Sequence, residues 1–285
     1  MTPYTPEPSP QKGKDYYRKI NREVMTDTKQ QYETDERLRE AVRQSIQRQY
    51  MVAQEDDISQ SPVENSSTAY VCSGRRTFEA ARYYAYIGKK VAVLNFANNH
   101  SIGGAPFSAG AQEESLCRCS TLLPCLEAMR APFYEKHRTL YEAGKLGLMG
   151  NDDLIYTPGV LVFKDDRRAP TIYPRRMPLS GWYNVDVITC AAPEMKHMHH
   201  WPDDYKEVIA RRIKKILDAA AREKVQVLIL GAWGCGAFGN DLQVVADTFR
   251  TLLKNYDFET VEYALGTDDY VGGSPFAQGC KVDND

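Results

Sequence analysis

The sequence predicts an α/β domain built on a mostly parallel or mixed central sheet. Three observations lead to it. Apolar runs of strand length alternate with longer segments of helical periodicity, and two of those runs pass straight into Gly-rich loops. Those loops, 103–110 and 231–239, therefore lie beyond the carboxyl ends of buried strands, where ligands bind in such sheets.

Taken in order, residues 1–14 are rich in Pro, Thr and Lys and are expected to be disordered. Residues 15–68 read as a helical N-terminal extension and a loop. Leu38, Val42, Ile46 and Tyr50 recur every fourth residue, which predicts an amphipathic helix with a narrow apolar stripe, and Ile20 and Val24 suggest an earlier helix. "AYVCS" from Ala69 is a short strand. "RRTFEAARYYAYIGKK" is helical, with Gly88 as terminator. "VAVLNFA" from Val91 is an apolar, β-branched buried strand. After the first Gly-rich loop, one helix is expected from Gln112 to about Met129. "LIYTPGVLVFKDD" reads as one or two strands interrupted at Pro158-Gly159, and "VDVITCAAP" from Val185 as another. Residues 203–223 form a helix with acids first and bases later, its "RRIKK" segment reading as a solvated face. A strand from Val225 enters the second Gly-rich loop, followed by a helix from Leu242 and a last strand from Thr260. Residues 266–285 read as an unstructured tail.

The chain has 285 residues, of which 42% are hydrophobic and 26% charged, an ordinary globular composition. Its formal charge of -2, from 36 basic and 38 acidic residues, favours neither duplex nucleic acid nor an anionic membrane. No apolar run approaches the ~20 residues that span a bilayer, and the N-terminus lacks the apolar core of a signal peptide. Seven cysteines, an odd number, suggest reduced thiols in an intracellular protein, cytoplasmic by default with the nucleus left open. A monomer is expected.

The chemistry is concentrated in the two loops. "GAWGCGAFGND" places Gly231, Gly234, Gly236 and Gly239 between a strand and a helix. Its amides and the helix N-terminus can cradle a phosphate or diphosphate, although a tight turn without a ligand fits the same pattern. It is not a P-loop, because no Gly-Lys-Ser/Thr ends it. Trp233 and Phe238 are large rings on a loop of small residues, suited to the core or, for Phe238, to a sugar or base. Glu113 and Glu114 stand at a helix start, where the macrodipole favours acids in any case. Adjacent helical residues are about 100° apart, so the two carboxylates cannot face each other across one bond. If both act, one serves the scissile centre and the other grips a neighbouring hydroxyl. Cys117 and Cys119 diverge on a helix and read, with Cys125, as buried thiols, while His197, His199 and His200 read as a surface cluster. No metal and no cofactor is expected.

"FAN" at Phe96–Asn98, Gly103-Gly104 seven residues before Gln112-Glu113-Glu114, and the second Gly loop together resemble a poly(ADP-ribose) glycohydrolase of the microbial type, whose catalytic domain is a macrodomain. The likeness runs through "QEESLCRCSTLLPCL", "IYTPGVLVF" and "WYNVDVITCAAP". It implies a macrodomain-like three-layer αβα domain with a mixed central sheet over residues 69–265, preceded by the helical extension. It implies that Glu114 is the catalytic acid–base at a ribose–ribose O-glycosidic bond and that Glu113 holds ribose hydroxyls. It further implies that Asn98, Gly103, Gly104 and Gln112 line the substrate and that Gly234, Cys235, Gly236, Ala237 and Gly239 bind the diphosphate. Phe238 would then pack on the distal ribose. The partner implied is an ADP-ribose polymer or an ADP-ribosylated protein. Alternatives of different class are a mono-ADP-ribosyl hydrolase and a non-catalytic ADP-ribose reader. The family carries three glycines where this chain has Ile102-Gly103-Gly104 or, with the alignment shifted, Gly103-Gly104-Ala105, so either way a side chain stands where the family leaves the backbone bare.

Overall fold

Strands with alternate residues committed to two apolar faces require helices on both sides, and this sheet meets that requirement. A computed structural model describes residues 13–64, 66–165, 174–267, 271 and 273–283. In chain order it contains α1 (Lys14–Thr34), α2 (Glu36–Arg48), β1 (Tyr50–Val52), β2 (Ala69–Ser73), α3 (Thr77–Tyr86), β3 (Val91–Phe96), α4 (Gln112–Cys119), α5 (Leu122–Ala128), a π-helical turn (Arg130–Glu135) and α6 (Lys136–Glu142). There follow β4 (Leu154–Val162), β5 (Tyr183–Cys190), α7 (Tyr205–Arg222), β6 (Val227–Leu230), α8 (Leu242–Leu253), β7 (Thr260–Ala264) and β8 (Lys281–Asp283). The strands form one sheet in the order β1-β4-β5-β3-β6-β7-β2-β8. β3 runs parallel to both β5 and β6, whereas β4 is antiparallel to β1 and β5, so the sheet is mixed as expected.

Alternation decides the layers. Ala92, Leu94, Leu228 and Leu230 pack with Ile213, Ile216 and Phe249 of α7 and α8 on one face. Val91, Val93, Val227 and Ile229 pack with Phe78 of α3 and Leu116 of α4 on the other, together with Met25 and Tyr32 of α1 and Leu38 of α2. The N-terminal extension thus shares the core of the domain. Its polar links agree: Thr28 Oγ1 donates to Arg118 O (2.6 Å), and buried Lys164 donates to Val24 O (3.1 Å) and Asp27.

Several expectations change in detail. The four-residue stripe ends early, because α2 stops at Arg48 and Tyr50 pairs with Tyr156 as the first residue of β1. Ile46 is exposed and Ser45 is buried in the helix instead. The single helix expected from Gln112 to Met129 is broken at Ser120, which is extended and bridges Val162, while Thr121 N donates to Leu161 O (3.0 Å). Pro124 falls in the first turn of α5, where a missing N–H costs nothing. β4 is one strand with a register shift between Thr157 and Val160, and Asp186 accepts from Gly159 N (2.9 Å) there. The tail read as unstructured supplies buried Val271 and Phe276 and the edge strand β8, parallel to β2. Arg212 of the segment read as solvated is buried, donating to Asp152 (2.8 Å) and Ala191 O (3.0 Å). Residues 1–12 of the segment expected to be disordered lie outside the described residues; Gly13 caps α1 and Lys14 opens it. Among the described residues no helix is long and apolar enough to cross a membrane.

Met25 is fully buried in the core shared by α1 and the sheet. Met25→Ala is expected to lower stability by about 2–5 kcal/mol while keeping a single denaturant transition. Two transitions, or no loss, would show that the extension is a separate unit.

Candidate active site

The site lies at the carboxyl end of the central strand β3, between the loops that leave β3 and β6. Gln112, the first residue of α4, ties that helix to the strand. Its Oε1 accepts from Phe96 N (2.9 Å), and its Nε2 donates to Leu94 O (2.7 Å) and Thr77 Oγ1 (3.1 Å). Both ends of the amide are therefore spent on the protein, so Gln112, expected to line the substrate, acts first as a brace.

The next two residues are carboxylates buried to 3% and 7% exposure, Glu113 and Glu114. Their partners differ. Glu113 accepts from Asn98 N (2.8 Å) and from Asn95 Nδ2 (3.1 Å), whereas Glu114 accepts from Ala105 N (3.0 Å). Burial pushes the Glu113 carboxyl up to about 8, against the Asn98 and Asn95 hydrogen bonds, with the neighbouring Glu114 adding to the rise. Asn95 was not foreseen as a site residue; its one signal is an amide inside the apolar run "VAVLNFA".

The loop between strand and helix is shaped around these acids. Asn98 Oδ1 accepts from His100 N and Ser101 N, both at 2.8 Å, and turns the chain out of β3. Gly103 and Gly104 follow at φ +65° and +67°, a region that side-chain-bearing residues avoid. A Cβ on Gly104 would lie 2.4 Å from Glu114 Oε1 and 3.3 Å from Glu113 Oε2. Both carboxylates thus reach the same bare backbone despite their divergence on the helix. From below, buried Arg118 donates to Pro106 O (2.8 Å) and Ala109 O (2.7 Å), and Asn21 Nδ2 to Ser108 O (3.1 Å) and Ala109 O (3.0 Å). Behind the loop's start, buried His137 has Nδ1 3.3 Å from Asn99 O and Nε2 2.9 Å from Asp153 Oδ2. Burial alone would raise Asp153, but hydrogen bonds from His137 and Lys136 outweigh it and hold that carboxyl well below the usual range. None of Asn21, Arg118, His137 and Asp153 has a local sequence pattern that marks it.

The second loop is equally close-packed. Trp233 is core, its Nε1 donating to Cys190 O (2.9 Å). Gly234 and Gly239 have positive φ, and a Cβ on Gly234 would meet Ala192 at 2.3 Å. Phe238 O accepts from Met195 N (2.7 Å) and Lys196 N (2.9 Å), while Asn240 Nδ2 bonds Pro193 O (2.8 Å) and Gly234 O (2.9 Å). Between the loops lies a cavity of about 430 Å³, walled by Phe96, Ala97, Ala111, Gln112, Ala192, residues 232–238, Leu265 and Thr267. A second, of about 250 Å³, shares Phe96, Ala111, Gln112, Ala232, Leu265 and Thr267 with it and extends towards Arg76 and Thr77. Gly234, Cys235, Gly236, Ala237 and Phe238 all stand on the wall. Gly239 instead turns the loop onto Lys196, while Asn98, Gly103, Gly104, Glu113 and Glu114 line neither cavity, the two carboxylates sitting against Gly104. Cys117 and Cys125 are buried thiols, each raised by burial; Cys119 is also buried, while His197, His199 and His200 are exposed.

Residues 19–165 match the family described as microbial-type PARG, catalytic domain. Among solved structures the chain is similar to poly(ADP-ribose) glycohydrolase from Thermomonospora curvata bound to the inhibitor ADP-HPD, at 30% identity and TM-score 0.74, over 90% of this chain and 98% of that one. It is also similar to the enzyme from Deinococcus radiodurans in complex with ADP-ribose, at 29% identity and TM-score 0.68, over 83% of this chain and 94% of that one. No curated protein matches.

The close approach at Gly104 makes a direct prediction. Gly104→Ala combines a left-handed backbone with an overlap on the Glu114 carboxylate, and is expected to destabilise the fold by about 1–3 kcal/mol. The measurement is the denaturant midpoint; an unchanged midpoint would mean that the loop relaxes freely.

Proposed function

The chain belongs to the microbial-type poly(ADP-ribose) glycohydrolase family and is an enzyme of that activity, and we propose that Glu114 is its general acid–base and Glu113 its sugar anchor. One observation carries the assignment of roles. Two adjacent buried carboxylates have unlike partners, yet both reach the bare backbone of Gly104, and the residue just before them, Gln112, lines a cavity walled by a Gly-rich loop.

In this reading the terminal ADP-ribose lies along the cleft, with its diphosphate on the amides of residues 234–239. Its distal ribose packs against Phe238 and sits above Gly103 and Gly104. The two adjoining cavities suit a ligand of this size, since sites for molecules of this class span about 300–1,000 Å³. Glu114 donates a proton to the 2′-oxygen of the departing unit as the C1″–O bond breaks through an oxocarbenium-like state. It then takes a proton from the attacking water, which restores the acid. Glu113, held by Asn95 and the Asn98 amide, meets the ribose hydroxyls next to the broken bond. No step needs a redox partner, and every proton released is returned.

Two outcomes test these roles. Glu114→Gln keeps shape and hydrogen-bonding capacity but cannot cycle a proton. With labelled polymer its kcat is expected to fall at least about 10²–10⁴-fold, while calorimetry still registers ADP-ribose binding; full activity would sink the assignment. The second concerns pH. Glu113 is raised to about 8 by burial, so it is protonated at neutral pH and ionises as the pH climbs through that value. The neutral form donates to a ribose hydroxyl, which the ionised form cannot do. The value of kcat/KM should therefore decline above about pH 8, and Glu113→Gln, permanently neutral, should abolish that limb. A limb that survives the substitution assigns it to another group.

A further inference from the structure

Phe107 is 38% exposed and belongs to neither face of the core, yet the backbone around it is held by hydrogen bonds from two side chains. The carbonyls around it are drawn inward: Pro106 O by Arg118 (2.8 Å), Ser108 O by Asn21 (3.1 Å), and Ala109 O by both. Ser108 N and Ala109 N both donate to Ala105 O at 2.9 Å, which closes the turn. The loop is anchored through its backbone, and the aromatic ring is left facing solvent on a stiff base. Two residues earlier, Ala105 N donates to the Glu114 carboxylate. Two residues of chain span at most about 7 Å, so the backbone that carries the ring lies close to the group assigned as acid, to which Ala105 N donates at 3.0 Å.

We propose that Phe107 is the platform on which the purine of the departing unit stacks. The proposal rests on the glycohydrolase reading and extends it to the leaving side of the bond. The reasoning is chemical. In a ribose–ribose link the scissile oxygen is borne by C2′ of an adenosine, and the base is borne by the adjacent C1′. A leaving adenosine therefore brings a flat aromatic surface close to the acid that protonates it. Stacking between a base and an aromatic side chain tolerates an exposed setting and needs no polar partner. A ring held rigidly loses little freedom when it is used. The consequence is selectivity. Every bond within the polymer has a purine on its leaving side, whereas an ADP-ribose attached to a protein side chain has none, so Phe107 favours polymer over the protein-linked unit.

The test compares two substrates, a short ADP-ribose polymer and a dimer analogue whose departing ribose lacks adenine. Phe107→Ala is expected to lower kcat/KM on the polymer about tenfold, mainly through KM. It should leave the abasic analogue and the ADP-ribose dissociation constant unchanged, and Phe107→Trp should restore polymer cleavage. The exposed position keeps the fold intact in both variants, which the denaturant midpoint verifies. An equal loss on both substrates, or no loss on the polymer, overturns the proposal while the glycohydrolase reading stands. Failure of the unaltered chain to cleave polymer overturns that reading and this inference with it.

Discussion

The site depends on how Gln112 is held. β3 keeps β5 beside it as far as Phe96 but loses β6 after Val93, which leaves peptide groups open on that side. Gln112 satisfies them: its amide accepts from Phe96 N and donates to Leu94 O, as a neighbouring strand would. Each such bond contributes only about 0.5–1.5 kcal/mol net, but leaving a buried peptide group unpaired costs about 1–3 kcal/mol. The stronger effect is therefore on alternatives. With Gln112 fixed to β3, Glu113 has no direction open except towards Asn95 and Asn98, and Glu114 none except towards the loop.

That placement makes the glycines necessary. Two carboxylates removed from water need donors, and two of the nearest are backbone amides, Asn98 N and Ala105 N, at either end of the turn. The chain must pass between them close to both acids, at left-handed φ, with no Cβ to spare. The same crowding raises the Glu113 carboxyl, because burial disfavours its charge more than two hydrogen bonds favour it. Geometry and protonation thus have one origin, the exclusion of water from the strand end.

The layout of strands and helices was legible in the sequence wherever an element buries a repeating face. β3, β6, α7 and α8 follow from their apolar spacing alone. The misreadings share a cause, contacts between distant segments. β8 is three residues long and gains its place only by pairing with β2, so no pattern in the tail announces it. Tyr50 continued a helical stripe in the sequence, but its pairing with β4 overrides that spacing. Arg212 looked solvated because its partner, Asp152, lies 60 residues away. In the site, the motif residues were legible because their chemistry is local. Asn95, Asn21, Arg118 and His137 were not, since each matters for what it touches across the fold. Gln112 was seen, but the brace it makes was not.

The missing first glycine is the departure that most affects the loop, and φ explains why the turn survives it. Among the described non-glycine residues only Lys224 has a positive φ, so Ile102 lies in ordinary backbone space. Its side chain packs against the core face that contains Leu116 and Leu123. The left-handed turn falls on Gly103 and Gly104 alone, where a Cβ would strike Cys117, Leu123 or the Glu114 carboxylate. The first position of the triplet thus has no conformational demand that only glycine meets. Here it is used for burial, which adds an apolar anchor to the hydrogen bonds that Arg118 and Asn21 make to the loop. The substitution therefore tethers the loop while sparing the two positions that approach the acids, and the backbone facing the carboxylates stays bare.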